Sequence, residues 1–224
     1  MTGHANQNDI EQLEHLQSRI NRDPTEYSTL VKLGAMMFEP FHRPEESVHL
    51  LRKALELSPG NVDARFWLAK CLFHDFADYE EAKVVLEEAL EIDPNRSDCL
   101  SLLASVMADL GSPLVERLNL LRMAVQISPD WVTPRQQLAQ AYIEMMNLEE
   151  AEIEARTALS QLIAPTQLQD SLEEYYESVV TGKTSPIAAK ELQNLLEHIQ
   201  ALKKHHLPEA AKKKSEGSAD NGRL

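Results

Sequence analysis

Apolar residues recur along this chain with a step of 35 residues. Leucine, a small residue and, three positions later, a larger apolar residue form the clearest columns. The leucines are Leu33, Leu68, Leu103 and Leu138, and the small residues are Gly34, Ala69, Ala104 and Ala139. This spacing places the three positions on one face of an α-helix, where the small member lets a neighbouring helix approach closely. The columns predict one such helix in each unit.

A second set of columns follows in the same register and predicts a second helix. Its apolar positions are Leu51, Leu86, Leu121 and Ala155, followed by Ala54, Ala89, Ala124 and Ala158. A proline stands just past the second helix at Pro59, Pro94 and Pro129, and Pro24 precedes the first unit at the same step. Proline cannot continue the helical hydrogen-bond ladder. Each unit therefore reads as helix, turn, helix and stop, and several units must stack to bury their apolar faces.

This pattern resembles the tetratricopeptide repeat family. The second unit matches best, with Phe66–Leu72 in the first helix and Asp78–Ala82 followed by Ala89–Pro94 in the second. The resemblance covers Tyr27 to Leu162. It implies an all-α fold, a right-handed superhelical solenoid of stacked antiparallel helix hairpins. The four units are expected at about 27–61, 62–96, 97–131 and 132–164.

Three features depart from the family pattern. The first three units have one extra residue, which the columns place in the turn between the two helices. The alanine expected early in the second helix is Ser47 in the first unit and Arg117 in the third. The fourth unit lacks its closing proline at Ile163, although Pro165 follows.

The segments around the array have their own patterns. Residues 1–8 are expected to be disordered, and 9–26 to form an N-terminal capping helix with Asp9 as its N-cap. For residues 165–206 the pattern predicts a C-terminal helical hairpin cap, with helices over 166–181 and from Ser185 onward. Residues 207–224 have no apolar period and are expected to form a disordered basic tail. Its three consecutive lysines favour a solubilising role, with a targeting or anchoring patch as the alternative.

Composition and charge narrow the functional classes. The chain has 224 residues and a net charge of −14; its last 22 residues carry +3, which leaves −17 for the preceding 202. So acidic a body repels phosphate backbones, which argues against nucleic acid and favours a basic or amphipathic protein partner. No stretch is long and apolar enough to span a membrane, and no secretory signal is recognisable. We therefore expect a cytoplasmic protein.

Candidate chemistry is sparse. The only cysteines, Cys71 and Cys99, are too few for a disulfide framework and are expected to be core fillers. None of the eight histidines has zinc-ligand spacing with a cysteine. No nucleophile elbow or phosphate loop is present, and paired carboxylates such as Glu80 and Glu81 read as solvated helix faces. The sequence predicts no enzyme, no cofactor and no metal.

Surface recognition remains as the expected activity. In the tetratricopeptide family the first helices line a concave groove, and the resemblance carries this role to matching positions here. The candidate groove residues are Val31, Phe38, Phe66, Lys70, Phe73, His74, Ser101, Ser105, Gln136, Gln140, Ile143 and Glu144. Aromatic rings beside amides suit an extended or helical peptide. The alternative interpretation is that Phe38 and Phe73 simply pack between hairpins.

One family function is disfavoured. Family members that hold the acidic tails of heat-shock chaperones use a clamp of Lys, Asn and Arg on the first helices. The matching positions here are Val31, Ala35, Phe66, Lys70, Ser101 and Gln136, of which only Lys70 is basic.

The leading hypothesis is a non-enzymatic adaptor or assembly chaperone that binds a peptide or helix. The alternative is a self-associating scaffold that uses the C-terminal hairpin.

Overall fold

The computed structural model describes residues 6–163 and 190–204, and within them the regular structure is helical. The chain divides into two compact units, which hold residues 6–129 and residues 130–163 with 190–204 of the described part. The helices of the first unit are α1 (Gln7–Arg22), α2 (Tyr27–Phe38), α3 (Pro44–Leu57), α4 (Val62–His74), α5 (Tyr79–Ile92), α6 (Ser97–Asp109) and α7 (Leu114–Ile127). Those of the second unit are α8 (Val132–Glu144), α9 (Leu148–Ile163) and a helix over 190–204, here α10.

The repeat columns form the core of the first unit, as predicted. Helices α2, α4 and α6 are first helices, and each packs on the second helix that follows it, α3, α5 or α7. The second-helix alanines Ala54, Ala89 and Ala124 are fully buried. Because an alanine at a helix crossing lets two backbones approach closely, these columns fix where the paired helices touch.

The extra residue of the first three units lies in the turn, as the columns predict. A second helix begins 17 residues after its first helix in the first three hairpins and 16 residues after it in the fourth. The pairs of helix starts are Tyr27 and Pro44, Val62 and Tyr79, Ser97 and Leu114, and Val132 and Leu148. The step from one second helix to the next first helix stays constant at 18 residues.

The N-terminal helix starts earlier than predicted. Asn6, and not Asp9, is the N-cap of α1, because the Asn6 side chain accepts a hydrogen bond from the backbone N–H of Asp9. The Asp9 carboxylate in turn accepts from the backbone N–H of Asn6 at 2.7 Å, which completes a capping box. The acidic residue is thus the third residue inside the helix, and the predicted N-cap was wrong.

In the second unit, α8 and α9 form a hairpin and α10 packs on both of them. Gln136 Nε2 donates to Glu191 at 3.3 Å, and Lys203 Nζ lies 2.6 Å from a carboxylate oxygen of Glu152. Because Glu191 meets the start of α8 and Lys203 meets the start of α9, α10 runs parallel to α8 and antiparallel to α9. That is the position of the first helix of a following repeat.

The apolar stripe of α10 faces inward. Leu192, Leu196 and Ile199 are buried, whereas Gln193, Glu197 and other residues on the opposite face are exposed. A polar outer face is typical of a helix that closes a repeat array. The rest of the predicted C-terminal hairpin and the predicted basic tail lie outside the described residues. None of the helices in the described part is long and apolar enough to cross a membrane.

Candidate protein-binding surface

The first helices of the first unit lie side by side and form one surface, which we call the first-helix surface (α2, α4 and α6). On one side of α4, the ammonium of Lys70 lies 3.4 Å from Glu39 Oε1, just beyond α2. On its other side, Asp63 Oδ1 accepts from Arg96 Nη1 at 2.7 Å, just before α6. Helix α4 is thus tied by ion pairs to both of its neighbours.

The floor of this surface is buried. The matching positions Val31, Phe66 and Ser101 expose only 7%, 7% and 2% of their surface. Phe38 is also buried and lies 6.2 Å from the ring of Trp67, as the alternative interpretation of packing between hairpins expects. These predicted groove residues offer little free area to a partner in this structure.

Lys70 is held in place by aromatic rings. Its ammonium lies 5.3 Å from the centroid of Phe38 and 4.8 Å from that of Trp67, and it also pairs with Glu39. A cation over two ring faces gains from their quadrupoles, most of all where water is partly excluded. The positive charge of Lys70 is therefore compensated from several sides. Trp67 was missed as a site residue, although its position three residues before Lys70 on α4 could have indicated the contact.

The rim of the surface carries the accessible aromatic groups. Phe73 is half-buried, its centroid 4.7 Å from that of His74 and 5.7 Å from that of Tyr79. His74 remains exposed. Partial burial lowers the pKa of His74, and the nearby charge of Lys70 lowers it further. A lowered pKa favours the neutral imidazole, which can both donate and accept a hydrogen bond.

An ionic network lies at the N-terminal end of α6. Arg96 pairs with the buried carboxylate of Asp98 at 2.6 Å and with the exposed carboxylate of Asp63. Asp98 also accepts from the backbone N–H of Cys99 at 2.8 Å. Further along α6, Ser105 Oγ donates to the Ser101 carbonyl at 3.3 Å. Sequence reasoning missed Arg96, which stands just before the helix and outside the repeat columns.

Among the helices of the four hairpins, the net negative charge lies on the second helices. The first helices α2, α4, α6 and α8 hold four basic and four acidic residues, a net charge of zero. The second helices α3, α5, α7 and α9 hold six basic and thirteen acidic residues, a net charge of −7. The predicted basic partner therefore has no electrostatic counterpart in the helical residues of the first-helix surface.

The predicted groove residues of the second unit differ in accessibility. The amide of Gln136 is engaged with Glu191 on α10, and Ile143 is buried. Gln140 and Glu144, by contrast, are exposed. Gln140 can present an amide to a partner, whereas Gln136 contributes to the packing of α10.

No metal or thiol chemistry emerges in the described residues. No three His, Cys, Asp or Glu side chains there come together in a way that could hold a metal ion. Cys71 and Cys99 are free and fully buried, as the prediction of core fillers expects. Burial raises the pKa of the Cys71 thiol to about 11, although a hydrogen bond with Ser47 works against this shift.

Comparison with known proteins agrees with the helical pattern. Residues 42–106 match the family model of the tetratricopeptide repeat. This part of the chain carries tetratricopeptide repeats. No curated protein matches the sequence significantly.

Solved structures share the repeat fold at low sequence identity. YrrB, described as a tetratricopeptide repeat protein with an unusual peptide-binding site, aligns over 90% of this chain and 99% of its own, with a TM-score of 0.58 and 18% identity. TTC0263, a repeat protein from Thermus thermophilus, aligns over 75% and 88%, with a TM-score of 0.58 and 20% identity. PilW, described as a type IV pilus biogenesis factor, aligns over 90% and 87%, with a TM-score of 0.62 and 16% identity. They confirm the expected solenoid of stacked antiparallel hairpins.

Proposed function

We propose that this repeat protein is a non-enzymatic interaction module, an adaptor or assembly chaperone, that binds a segment of another protein on its first-helix surface. The observation that carries the proposal is the rim formed by Lys70, Phe73 and His74. It offers partly accessible aromatic rings and hydrogen-bonding groups above a closely packed floor. Such a combination suits recognition of a peptide through a few anchors and several polar contacts.

The charge distribution refines the expected partner of this surface. Because the first helices are neutral overall, we expect an amphipathic peptide or helix of low net charge there, and not a strongly basic one. A low net charge on both sides removes long-range steering, so that apolar and hydrogen-bond contacts decide specificity. The description of YrrB as a peptide-binding repeat protein is consistent with this use of the fold.

The scaffold alternative gains less support. Self-association through the C-terminal region would need an apolar surface there, and the exposed face of α10 is polar, with Glu191, Gln193 and Glu197 among its residues.

For the location of the protein, we keep the cytoplasm as a proposal. Two buried free thiols are compatible with a reducing compartment.

The test starts from peptides selected on the intact chain from a random display library. Binding of each peptide is measured by fluorescence anisotropy to the native protein, to His74→Ser and to the matched control His49→Ser. Both histidines are exposed, but His49 lies on the second helix α3. We expect His74→Ser to raise Kd about tenfold, corresponding to about 1.4 kcal/mol, and the control to leave it within about twofold. Equal effects of the two variants would refute the assignment of this surface.

A further inference from the structure

The turn between α4 and α5 presents an aromatic side chain to solvent. Phe76 is 43% exposed. At the equivalent position, 35 residues earlier, Phe41 is half-buried and packs against the cluster that contains Met36 and Met37. The two turns thus use the same residue type differently, and only Phe41 covers part of the core. An exposed phenylalanine at the tip of a hairpin is a surface that water solvates poorly.

The backbone holds this turn in a defined shape. The Asp75 N–H donates to the Cys71 carbonyl at 3.0 Å, and the Asp78 N–H donates to the Leu72 carbonyl at 2.9 Å. Between them, Ala77 has a φ of 51°, in the left-handed region that non-glycine residues seldom adopt. The Asp78 side chain caps α5 by accepting from the Glu81 N–H at 3.2 Å. The backbone around Phe76 therefore has a defined conformation.

Three carboxylates lie close to Phe76 in the sequence. Asp75 and Asp78 are its neighbours in the turn, Glu80 follows in the first turn of α5, and all three are exposed. None of them forms a salt bridge within the described part of the chain. The nearest ammonium on α4, that of Lys70, is paired with Glu39. The turn thus combines an exposed aromatic ring with carboxylates that form no salt bridge among the described residues, although His42 and His74 lie within electrostatic reach of Asp75.

We infer that this turn surface (Asp75, Phe76, Asp78 and Glu80) docks an arginine-bearing segment of a protein partner. A guanidinium plane can stack on the ring of Phe76 while its N–H groups donate to the flanking carboxylates. Arginine fits this pairing better than lysine, because its charge is planar, weakly hydrated and able to form two parallel hydrogen bonds. The site lies at the hairpin turn and begins directly after His74, the last residue of the rim proposed on the first-helix surface.

The test uses two fluorescein-labelled peptides, four Gly-Arg-Ser repeats and the same peptide with glutamine for arginine, each titrated onto the full chain. Phe76→Leu keeps an apolar side chain and removes the π face. We expect it to weaken binding of the arginine peptide about threefold to fivefold. Ile92→Ser, at the far end of α5 with 47% exposure, is the matched apolar control and should have no effect.

Charge is tested by a pair of double variants that remove the same two negative charges. Asp75→Asn with Asp78→Asn removes two of the three carboxylates of the turn surface, and asparagine can still cap α5. Glu56→Gln with Glu91→Gln neutralises two exposed carboxylates near the C-terminal ends of α3 and α5, away from the turn. We expect only the first pair to weaken the arginine peptide, by about tenfold at low salt. The inference is overturned if the glutamine peptide binds equally well, if Phe76→Leu has no effect, or if both double variants weaken binding alike.

Discussion

The hydroxyl of Ser47 donates a hydrogen bond to the backbone carbonyl of Gly34, with 2.7 Å between the two oxygens. Both residues are buried, one on each helix of the first hairpin. They occupy the positions that hold Ala69 and Ala82 in the second hairpin. A Cβ added at Gly34 would lie only 2.7 Å from Leu51 Cγ, so that α2 and α3 approach too closely for alanine. Gly34 and Ser47 therefore act together in the close packing of α2 against α3.

Substitution at these positions should reveal their coupling. We expect Gly34→Ala to lower the free energy of unfolding by about 1–3 kcal/mol through overpacking against Leu51. Ser47→Ala should lower it by about 1–2 kcal/mol through loss of a buried hydrogen bond. In the double variant the hairpin is free to open slightly, so the combined loss should be smaller than the sum. Urea denaturation of the four proteins measures this coupling, and strict additivity would contradict it.

The two ion pairs of Arg96 should contribute unequally to the free energy of unfolding. The side chain of Asp98 is 6% exposed, whereas that of Asp63 is 64% exposed. Arg96→Met keeps most of the aliphatic stem but leaves the Asp98 carboxylate buried without its cation. We expect a loss of about 3–5 kcal/mol in the free energy of unfolding. The control Asp63→Asn removes an exposed pair and should cost less than about 1 kcal/mol. Similar losses in the two variants would disprove this view of the network.

The fold could be predicted from the sequence because the same residue types recur at matching positions of every unit. Several columns therefore indicate the same helices independently of one another. The columns located the hairpins and the extra turn residue without knowledge of packing. Gly34 and Ser47 can each be picked out from the sequence, but their contact depends on the distance between α2 and α3, which periodicity does not encode. The start of α1 was misplaced for a similar reason, because Asn6 and Asp9 are both good capping residues and only the geometry distinguishes them.

The candidate surface was less predictable. Periodicity identifies which face of a first helix carries Phe66, but the tertiary environment decides how much of that side chain is accessible. Phe66→Ala is consequently a poor test of binding, since truncating a buried phenylalanine costs about 3–5 kcal/mol of stability. The placement of charge, by contrast, was available from the sequence once the helices had been assigned. Counting by helix would have shown that the first helices are neutral.

The buried thiols make a prediction about pH and reactivity. Because burial raises the pKa of Cys71 to about 11, and also raises that of Cys99, both remain protonated at pH 8 in the folded protein. We expect neither to react with a disulfide reagent at pH 8 until urea unfolds the chain. The folded state binds these protons more tightly than the unfolded state does. The thiols should therefore reduce stability only as the pH rises above the ordinary value of 9.0.

A reactive reference makes the thiol experiment quantitative. Gly60 is exposed and a Cβ there would meet no atom within 4 Å, so Gly60→Cys introduces an accessible thiol without strain. Its rate of modification in the folded protein sets the scale for an ordinary cysteine. Native cysteines that react at a comparable rate would show that the first unit opens locally.

The closing role of α10 can be tested at its buried stripe. Leu192 is fully buried, whereas its neighbour Gln193 is exposed. We expect Leu192→Ala to destabilise the second unit by about 2–5 kcal/mol, because it opens a cavity where α10 packs on α8 and α9. Hydrogen exchange should then accelerate in α8 and α9, while Gln193→Ala leaves it unchanged. Unaltered protection in Leu192→Ala would mean that α10 does not stabilise this hairpin.

The neutrality of the first helices leads to a prediction about salt. Peptides selected for the first-helix surface should bind with nearly the same Kd at about 50 and about 500 mM NaCl, within about twofold, because a surface without net charge offers little long-range attraction for salt to screen. The arginine peptide at the Phe76 turn should lose much of its affinity over the same range, since it meets carboxylates that form no salt bridge among the described residues. Measuring both peptides on one sample removes differences in protein quality. A steep salt dependence for the first peptide would place its binding on the acidic second helices and not on α2, α4 and α6.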